Sequence, residues 1–222
     1  MSAGVQTPGV GTTPSSPPRT GAVRPGPQVT PAAQVERLAY AAANAFPVTS
    51  VAGPSTRQGW LTALADTLDA HADELVALAD EETALGRDRL VGELAKTAAN
   101  ARYYGAVGAS GRWLRAVVER LPGPPPMMLA RAHLPIGPVA VFGASNFPFQ
   151  FGAVGHDVCS ALAVGCPVVV KAHPAHPRLS ARLAELAVEA LTGAGAPSGT
   201  YAMVHGLDSG LALVDADAIA AV

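Results

Sequence analysis

The part of the chain that decides the fold begins at residues 135–148, which read PIGPVAVFGASNFP, and ends at residues 165–177, which read GCPVVVKAHPAHP. Each segment contains a short apolar run. The first run, Val139–Phe142, lies between Pro138 and Gly143, and the second, residues 168–170, lies between Pro167 and Lys171. Such runs are typical of strands that are buried on both faces of a parallel sheet. The apolar residues 149–163 between them predict a crossover helix, so the expected order is strand, turn, helix, strand.

The two strands should end at the same edge of the sheet, where a ligand would bind. In open parallel sheets, ligands bind outside the carboxyl ends of the strands. Residues 143–146 follow the first strand and residues 171–173 follow the second, so we expect the two groups to lie side by side. Neither a GxGxxG nor a Walker A pattern occurs there, so the stretch predicts neither a standard Rossmann fingerprint nor a P-loop.

The motifs FGASNFP and VVVKAHPAHP, with their order and spacing, resemble the aldehyde dehydrogenase superfamily, in particular its NADP-linked 2-oxoglutarate-semialdehyde (2,5-dioxovalerate) dehydrogenases. The resemblance is weak from about Val35 and strong from Pro135 to the end. It implies an α/β fold with three N-terminal helices packed on an incomplete Rossmann-like parallel sheet. It also implies oxidation of a small-molecule aldehyde, such as 2-oxoglutarate semialdehyde, to a carboxylate. The implied cofactor is NADP or NAD, and full-length members of the family homo-oligomerise.

Asn146 is the candidate catalytic residue. A side-chain amide on a turn at the carboxyl end of a strand can donate a hydrogen bond to a developing oxyanion. In the family, the asparagine of the Asn-Phe-Pro motif has this role, so the resemblance implies an oxyanion role for Asn146. The alternative is an asparagine that only caps the turn before Phe-Pro.

Lys171 is the first candidate for cofactor binding. A lysine that follows three valines at the end of a buried strand is a poor core residue and a good contact for an anion or a ribose. The alternative is a lysine whose ammonium extends from the strand end into solvent. The resemblance implies that Lys171 binds the adenosine ribose, and the 2′-phosphate where NADP is used. The other residues that it implies at the cofactor are Phe142, Gly143, Ala144, Ser145, His173 and Gly206.

Two residues near this expected site argue against a firm choice of NADP. Pro174 lies where a family member would contact the ribose or the 2′-phosphate, and proline offers no donor. Asp208 follows Gly206, and an acidic residue there suits a 2′-hydroxyl and repels a 2′-phosphate. The sequence therefore leaves NAD and NADP open.

The histidines and cysteines offer two further hypotheses, which we disfavour. His173 and His176 form a short pair, but a metal site needs three or four ligands, so no metal is predicted. Cys159 and Cys166 lie in apolar surroundings that would make a thiol inert. The family's nucleophilic cysteine, general-base glutamate and pyrophosphate turn match no residue up to Val222. The 222 residues are therefore expected to be inactive alone, and the rival hypotheses are a catalytically dead nucleotide-binding or interaction module and a product with no stable fold.

Composition bounds the class of protein. The 222 residues are 49% hydrophobic and 14% charged, with a net charge of −2, so a sizeable core is expected and neither nucleic acid nor an anionic membrane is an expected partner. Two cysteines without a close-spaced metal pattern indicate a reducing compartment, and we expect a cytoplasmic location. Residues 1–30 are rich in Pro, Gly, Ser and Thr and lack acidic residues, which predicts a disordered, dispensable tail.

Residues 31–222 are predicted to be the N-terminal part of an aldehyde dehydrogenase cofactor-binding domain, truncated at the C-terminus. The apolar residues 219–222 indicate a fourth strand that is just beginning, which suggests an incomplete polypeptide. The acidic residues of the helical part, Asp73, Glu74, Asp80, Glu81 and Glu82, are interpreted as a solvated face. The remaining predicted elements are helices at 31–45, from 54, around 75–79, at 87–107, 179–191 and 207–214, and strands at 127–134 and 200–204.

Overall fold

A computed structural model describes residues 11–222. Four helices form its N-terminal half: α1 (Ala32–Thr49), α2 (Pro54–Ala70), α3 (Ala72–Thr83) and α4 (Arg87–Ala109). The sequence predicted a helix in each of these four regions, although it counted three N-terminal helices in all, and the structure separates α2 from α3 at His71, whose backbone leaves the helical conformation. The apolar faces of α2, α3 and α4 meet in the main core, whose largest buried side chains include Trp60, Leu61, Leu64, Leu68, Leu75, Leu90 and Leu94.

The last turn of α1 extends past Pro47, where the sequence predicted the helix to end. A proline within a helix removes one hydrogen bond and crowds the preceding turn, but only two residues of α1 follow it. Thr49 is buried, and its hydroxyl donates to the carbonyl of Gly165 at 2.8 Å. This tertiary contact holds the final turn against the sheet-bearing half of the chain.

Two antiparallel strands, β1 (Val117–Leu121) and β2 (Met127–Arg131), form a hairpin that projects from the rest of the protein. The sequence predicted one extended strand in this region, over residues 127–134, and missed β1. All ten strand residues are exposed. The hairpin therefore has no buried face, and its sequence lacks the alternation of apolar and polar residues that marks a half-buried strand.

The parallel sheet has the order β3 (Val139–Phe142), β4 (Val168–Lys171) and β5 (Tyr201–Val204). Three helices connect and extend it: α5 (His156–Val164), α6 (Pro177–Gly193) and α7 (Leu207–Val214). Helices α5 and α6 pack with α2 and α4 on one face of the sheet, while α1 and α7 cover the other face. The α/β class and the predicted parallel arrangement are confirmed.

The crossover helix α5 begins at His156, whereas the sequence predicted helix from residue 149. Residues 149–155 form a series of turns. A Cβ at Gly155 would lie 2.0 Å from the carbonyl oxygen of Gln150, so the turns bring the backbone too close to itself for any side chain at this position. The apolar composition of this segment reflects burial in the turns, which periodicity alone could not distinguish from a buried helix.

Residues 220 and 221 pair with β3 at the end of the described chain. The Ala220 amide donates to the Pro138 carbonyl, and the Ala140 amide donates to the Ala221 carbonyl, both at 2.8 Å. This single parallel bridge, Val139 to Ala221, lies on the side of β3 opposite β4. The bridge lies within residues 219–222, where the sequence predicted a fourth strand of the parallel sheet.

Residues 11–30 differ from their predicted disorder, while residues 1–10 lie outside the described part of the chain. The segment folds back on itself through antiparallel bridges between Thr12 and Gln28 and between Ser15 and Arg24. Ser15 is fully buried, and its hydroxyl donates to the Glu82 carboxylate at 2.5 Å. Arg19 forms an ion pair with Asp80 at 2.7 Å, and Arg24 forms one with Glu81.

The physical reason for the difference is that residues 11–30 obtain their order from α3, which composition does not reveal. The three consecutive acidic residues 80–82 at the end of α3 were interpreted as a solvated face. They instead bind the two arginines and a serine of the segment.

Candidate functional site

The carboxyl ends of β3 and β4 lie side by side, as the sequence predicted. Phe142 is the register partner of Lys171, and Lys171 is the partner of Val204 on β5. The backbone continues this pairing for one residue, because the Gly143 amide donates to the Lys171 carbonyl at 3.0 Å. Residues 142–146 and 171–173 therefore share one edge of the sheet.

Asn146 is exposed on the turn that follows β3. Its side-chain amide has no hydrogen-bond partner among residues 11–222, so it does not cap the turn as the alternative interpretation required. Its backbone carbonyl accepts a hydrogen bond from the Arg89 guanidinium at 2.5 Å. The side chain is therefore free to donate to an oxygen outside the turn.

The turn after Asn146 is held by a buried carboxylate that sequence reasoning missed. Glu93 is 6% exposed, and its Oε1 accepts the amides of Phe149 at 2.9 Å and Gln150 at 3.1 Å. A signal for Glu93 exists in the sequence: it lies three residues after Leu90 on α4, within the helical repeat of inward residues. A carboxylate at an inward position needs buried donors, and backbone amides of a turn supply them.

The loop between β3 and Asn146 is held by His176, the residue that precedes α6. His176 is fully buried, and its Nε2–H donates to the Ala144 carbonyl at 2.9 Å, while its Nδ1 accepts the Ser180 hydroxyl at 3.1 Å. Both ring nitrogens are thus used in the fold. His173, its neighbour in the sequence motif, accepts the Ala175 amide at Nδ1. Within residues 11–222, no group of three or more His, Cys, Asp or Glu side chains could hold a metal ion.

Lys171 is partly buried at the end of β4, and its aliphatic part packs against α7. A Cβ added at Gly210 would lie 3.4 Å from Lys171 Cε and 3.3 Å from the Phe142 ring, so a larger residue there would require these side chains to shift by a few tenths of an ångström. The described residues contribute no hydrogen-bond or ion-pair partner for the ammonium. Burial lowers the pKa of Lys171 below its usual value. An unpaired, partly desolvated ammonium at a strand end is suited to a polar or anionic ligand.

Two histidines adjoin Lys171. Burial lowers the pKa of His173, and the neighbouring His176 and Lys171 lower it further. Burial also lowers the pKa of His205 to about 4, with a smaller contribution from the positive charge of Lys171. The buried Nδ1 of His205 has no partner in residues 11–222. Both imidazoles are therefore neutral at pH 7 and add no positive charge to this edge.

Gly206 lies between β5 and α7, where its backbone has a φ of +113° that favours glycine. A Cβ at this position would lie 2.7 Å from Val29 Cγ1. The Thr30 amide donates to the His205 carbonyl at 2.8 Å, and the His205 amide donates to the Thr30 hydroxyl at 3.0 Å. Residues 29 and 30 thus hold the turn that carries Gly206, a contact that the sequence analysis missed because it placed both residues in a disordered tail.

Both cysteines of the chain are buried. The Cys159 thiol donates to the Val154 carbonyl at 3.3 Å, and burial raises its pKa to about 12. A thiol with such a pKa has almost no thiolate at neutral pH and is a poor nucleophile. Cys166 is 3% exposed after α5.

A separate apolar groove lies on the other side of β3. Its volume is about 620 Å³, and its lining includes Trp113, Ile136, Phe142 and Cys166. Phe142 is the one residue that this groove shares with the predicted catalytic and cofactor residues. No helix in residues 11–222 is long and apolar enough to cross a membrane.

The chain that forms this edge of the sheet is similar to known proteins over almost its whole length. The sequence matches the model of the aldehyde dehydrogenase family over residues 7–222. The chain belongs to the aldehyde dehydrogenase family. The match starts before residue 31, so it includes most of the segment that the sequence predicted to lie outside the domain.

Two curated relatives are dehydrogenases of one semialdehyde. Alpha-ketoglutaric semialdehyde dehydrogenase 2 of Azospirillum brasilense is 37% identical over 184 residues, covering 78% of this chain and 34% of the relative. Alpha-ketoglutaric semialdehyde dehydrogenase of Acinetobacter baylyi is 34% identical over 186 residues, covering 82% and 35%. The chain therefore spans about a third of the length of the curated relatives that it matches.

A solved structure shows the same fold. PnpE from Pseudomonas sp. WBC-3, solved in complex with nicotinamide adenine dinucleotide, is 28% identical to this chain with a TM-score of 0.81. The similarity covers 94% of this chain and 41% of PnpE. The superfamily and the Rossmann-like arrangement expected from the two sequence motifs are thus confirmed.

Proposed function

We propose that this chain contributes to the oxidation of an aldehyde to a carboxylate with NAD or NADP. Within this reaction, Asn146 donates its side-chain amide to the oxyanion that forms when a thiolate attacks the aldehyde. The observation that carries the proposal is that the Asn146 side-chain amide and the Lys171 ammonium lie on the same sheet edge, and neither has a partner in residues 11–222. The proposed substrate is a semialdehyde such as 2-oxoglutarate semialdehyde, because two relatives are named for it.

The charge at this edge supports a dinucleotide site. Lys171 offers to a ribose or phosphate an ammonium that has no partner in residues 11–222. Gly206, whose positive φ favours glycine, lies two residues after the end of β5. We propose that Phe142, Gly143, Ala144 and Ser145 lie along the nicotinamide half and that Lys171, His173 and Gly206 contact the adenosine half. The nicotinamide would supply the hydride acceptor.

Two charges act in opposite directions on the choice of cofactor. The Lys171 ammonium favours the 2′-phosphate of NADP over a 2′-hydroxyl. Asp208, exposed in the first turn of α7, would repel that phosphate. We therefore propose NAD or NADP as cofactor, with Asp208 as the residue that limits NADP affinity.

Location and partners follow from the same proposal. We propose a cytoplasmic enzyme that acts on small molecules and forms homo-oligomers, as full-length members of the family do. The exposed hairpin of β1 and β2 is a suitable contact surface, since it presents Val118, Met127 and Met128 to solvent. The net charge of −2 favours neither nucleic acid nor an anionic membrane as a partner.

Titration of the ¹⁵N-labelled 222-residue chain with NAD and NADP tests the nucleotide site. We expect chemical-shift changes at residues 142–146 and 171–173, with a dissociation constant in the millimolar range, which corresponds to about −4 kcal/mol. Lys171→Ala should weaken binding, and more for NADP than for NAD. Lys96→Ala is the matched control, because Lys96 is the other lysine of the chain and lies exposed on α4. Shift changes that avoid both groups of residues would refute the site.

The buried state of both cysteines favours one alternative, that the 222 residues alone act as a nucleotide-binding module without catalysis. The chain is expected to form no NADH or NADPH from 2-oxoglutarate semialdehyde above background, because Cys159 is a poor nucleophile and Cys166 is buried. Cofactor reduction that disappears in Cys159→Ser or Cys166→Ser would overturn this expectation and the assignment of both thiols as inert.

A further inference from the structure

One face of α4 carries four polar side chains, of which two contact the loop between β3 and α5 and two contact the first residue of α5. They are Arg89, Glu93, Asn100 and Tyr104, spaced by four, seven and four residues, so they form one stripe along the helix. Their contacts lie within residues 146–156. The loop that carries Asn146 is therefore seated on a polar stripe of a helix that the sequence assigned only to the hydrophobic core.

Arg89 and Glu93 hold the two ends of the Asn146 turn. The Arg89 guanidinium donates to the Asn146 carbonyl at 2.5 Å and lies 5.1 Å from the centre of the Phe147 ring. Glu93, one helical turn later, accepts the amides of Phe149 and Gln150. The backbone from Asn146 to Gln150 is thus bound at its first carbonyl and at its last two amides by adjacent turns of one rigid helix.

Asn100 and Tyr104 hold the far end of the loop through His156. The Asn100 amide donates to His156 Nε2 at 2.9 Å, so the opposite nitrogen, Nδ1, carries the proton and donates to the Tyr104 hydroxyl at 3.1 Å. The Phe151 ring stacks on the His156 ring with centres 5.2 Å apart.

A second contact between aromatic rings links His156 and Phe151 to the Asn146 turn. The Phe151 ring meets the edge of the Phe147 ring, with centres 5.7 Å apart. Phe147 is the ring that Arg89 covers. The loop is therefore linked to the polar stripe of α4 at both ends and through a row of aromatic rings between them.

Glu93 is held in place despite an unsatisfied oxygen. Its Oε2 is buried and has no partner among residues 11–222, which is unfavourable for a carboxylate. An apolar residue at this inward position of α4 would avoid that penalty but would leave two turn amides without an acceptor. A carboxylate at this position therefore favours the geometry of the Asn146 turn at some cost to the stability of the packing between α4 and the loop.

We propose that Glu93 and Arg89 are positioning residues that set the orientation of the Asn146 amide. Arg89 fixes the carbonyl of Asn146, Glu93 fixes the amides three and four residues later, and the side chain of Asn146 is thereby directed out of the turn. The inference rests on the proposed oxyanion role of Asn146 for its functional meaning, whereas the positioning itself can be measured without any ligand.

The test compares Glu93→Ala with Glu82→Ala in the ¹⁵N-labelled 222-residue chain. Glu82 is the matched control, because it is also a buried carboxylate that accepts backbone amides, but at the start of α6. We expect Glu93→Ala to raise hydrogen exchange at Phe149 and Gln150 about tenfold or more and to shift the side-chain amide signal of Asn146. Glu82→Ala should change neither. Glu93→Gln, which keeps a carbonyl acceptor, should restore most of the wild-type signals.

A second pair of variants covers the case in which Glu93→Ala fails to fold. Arg89→Ala removes an exposed side chain and should shift the signals of Asn146 and Phe147, whereas Arg87→Ala, an exposed arginine two residues earlier, should not. The proposal is overturned if Asn146 responds equally to the Glu82 and Glu93 variants, or if it is unchanged in both Glu93→Ala and Arg89→Ala.

Failure of the proposed function has a different signature. If the Asn146 amide shifts in the Glu93 and Arg89 variants, but nucleotide titration of the wild-type chain leaves residues 142–146 unaffected, the positioning stands and the site assignment is wrong.

Discussion

The two halves of the candidate site are supported by two unlike regions of the molecule. Residues 11–30, an extended segment, hold the turn that carries Gly206, while the polar stripe of α4 holds the turn that carries Asn146. Each region depends on one buried glutamate. The Glu82 Oε1 accepts hydrogen bonds from the Ser15 hydroxyl and the Arg178 backbone amide, and its Oε2 accepts one from the Leu179 backbone amide.

Glu93 differs from Glu82 in that its two donors share one oxygen and the other oxygen has none in the described chain. A carboxylate with donors on both oxygens stabilises the fold, whereas one with a bare oxygen gives up stability. The comparison suggests that the first region serves mainly to stabilise the protein and that the second serves mainly to shape the site. The variants below test that division.

Removal of residues 1–30 should have the largest effect. It deletes the Ser15 hydrogen bond to Glu82, the two Thr30 hydrogen bonds to His205 and the contact between Val29 and Gly206. If each contributes about 1 kcal/mol, the free energy of unfolding should fall by about 4 kcal/mol, which urea denaturation can measure. In the intact chain, limited proteolysis should leave residues 12–28 uncut. An unchanged unfolding midpoint would restore the view of a dispensable tail.

Glu82→Ala should have the next largest effect. It leaves the Ser15 hydroxyl and the amides of Arg178 and Leu179 without an acceptor, which should cost about 3 kcal/mol. Glu81→Ala is the control, because Glu81 forms partly exposed ion pairs with Arg24 and Arg178 and should cost less than about 1 kcal/mol. Similar losses in the two variants would show that the charge of the segment, and not the buried acceptor, is what matters.

The sequence predicted the elements that depend on residues within the same segment and missed the contacts that depend on residues far away in the chain. The bounds of β3 follow from an apolar run between Pro138 and Gly143, and the structure reproduces them, as it reproduces the predicted bounds of α7. It extends the predicted strand at 168–170 by one residue, Lys171. The order of residues 11–30 depends on acidic side chains about 60 positions away. No periodicity within the segment carries that information.

The same distinction holds at the candidate site. Asn146 and Lys171 were identified because motif and strand end coincide in one stretch of sequence. Glu93 and Arg89 were not, because their partners lie 56 and 57 residues later. An inward glutamate in a helical pattern is the one signal that could have pointed to them.

The region held by residues 11–30 should also be the more sensitive to acid, through His205. Its pKa is lowered to about 4 in the folded protein, against about 6.5 in the unfolded chain. Between these values the unfolded state binds more protons, so stability falls as the pH falls from about 6.5 to 4. The loss should be on the order of 2 kcal/mol. His205→Leu should flatten this part of the stability profile, whereas His133→Ala, an exposed control, should leave the slope intact.

Glu93→Ala should cost less than Glu82→Ala, about 1–2 kcal/mol, because two amides lose their acceptor while an unsatisfied buried oxygen is removed. Thermal denaturation of both variants under one condition gives the comparison directly. A loss for Glu93→Ala that exceeds the loss for Glu82→Ala would contradict the division of the two regions into support for the fold and support for the site.

Lys171→Met should have the smallest effect on stability, and it distinguishes a lysine that binds a ligand from one that stabilises the fold. The substitution keeps the aliphatic packing against Gly210 and Phe142 and removes an ammonium that is partly buried without a partner in residues 11–222. Because that charge is desolvated and uncompensated, the free energy of unfolding should stay unchanged or rise by up to about 0.5 kcal/mol. The pKa values of His173 and His205 should rise, since the positive charge of Lys171 lowers both, and nucleotide-induced shifts at residues 171–173 should weaken. If Lys171 instead stabilises the fold, the Lys171→Met variant should lose stability and still bind nucleotide.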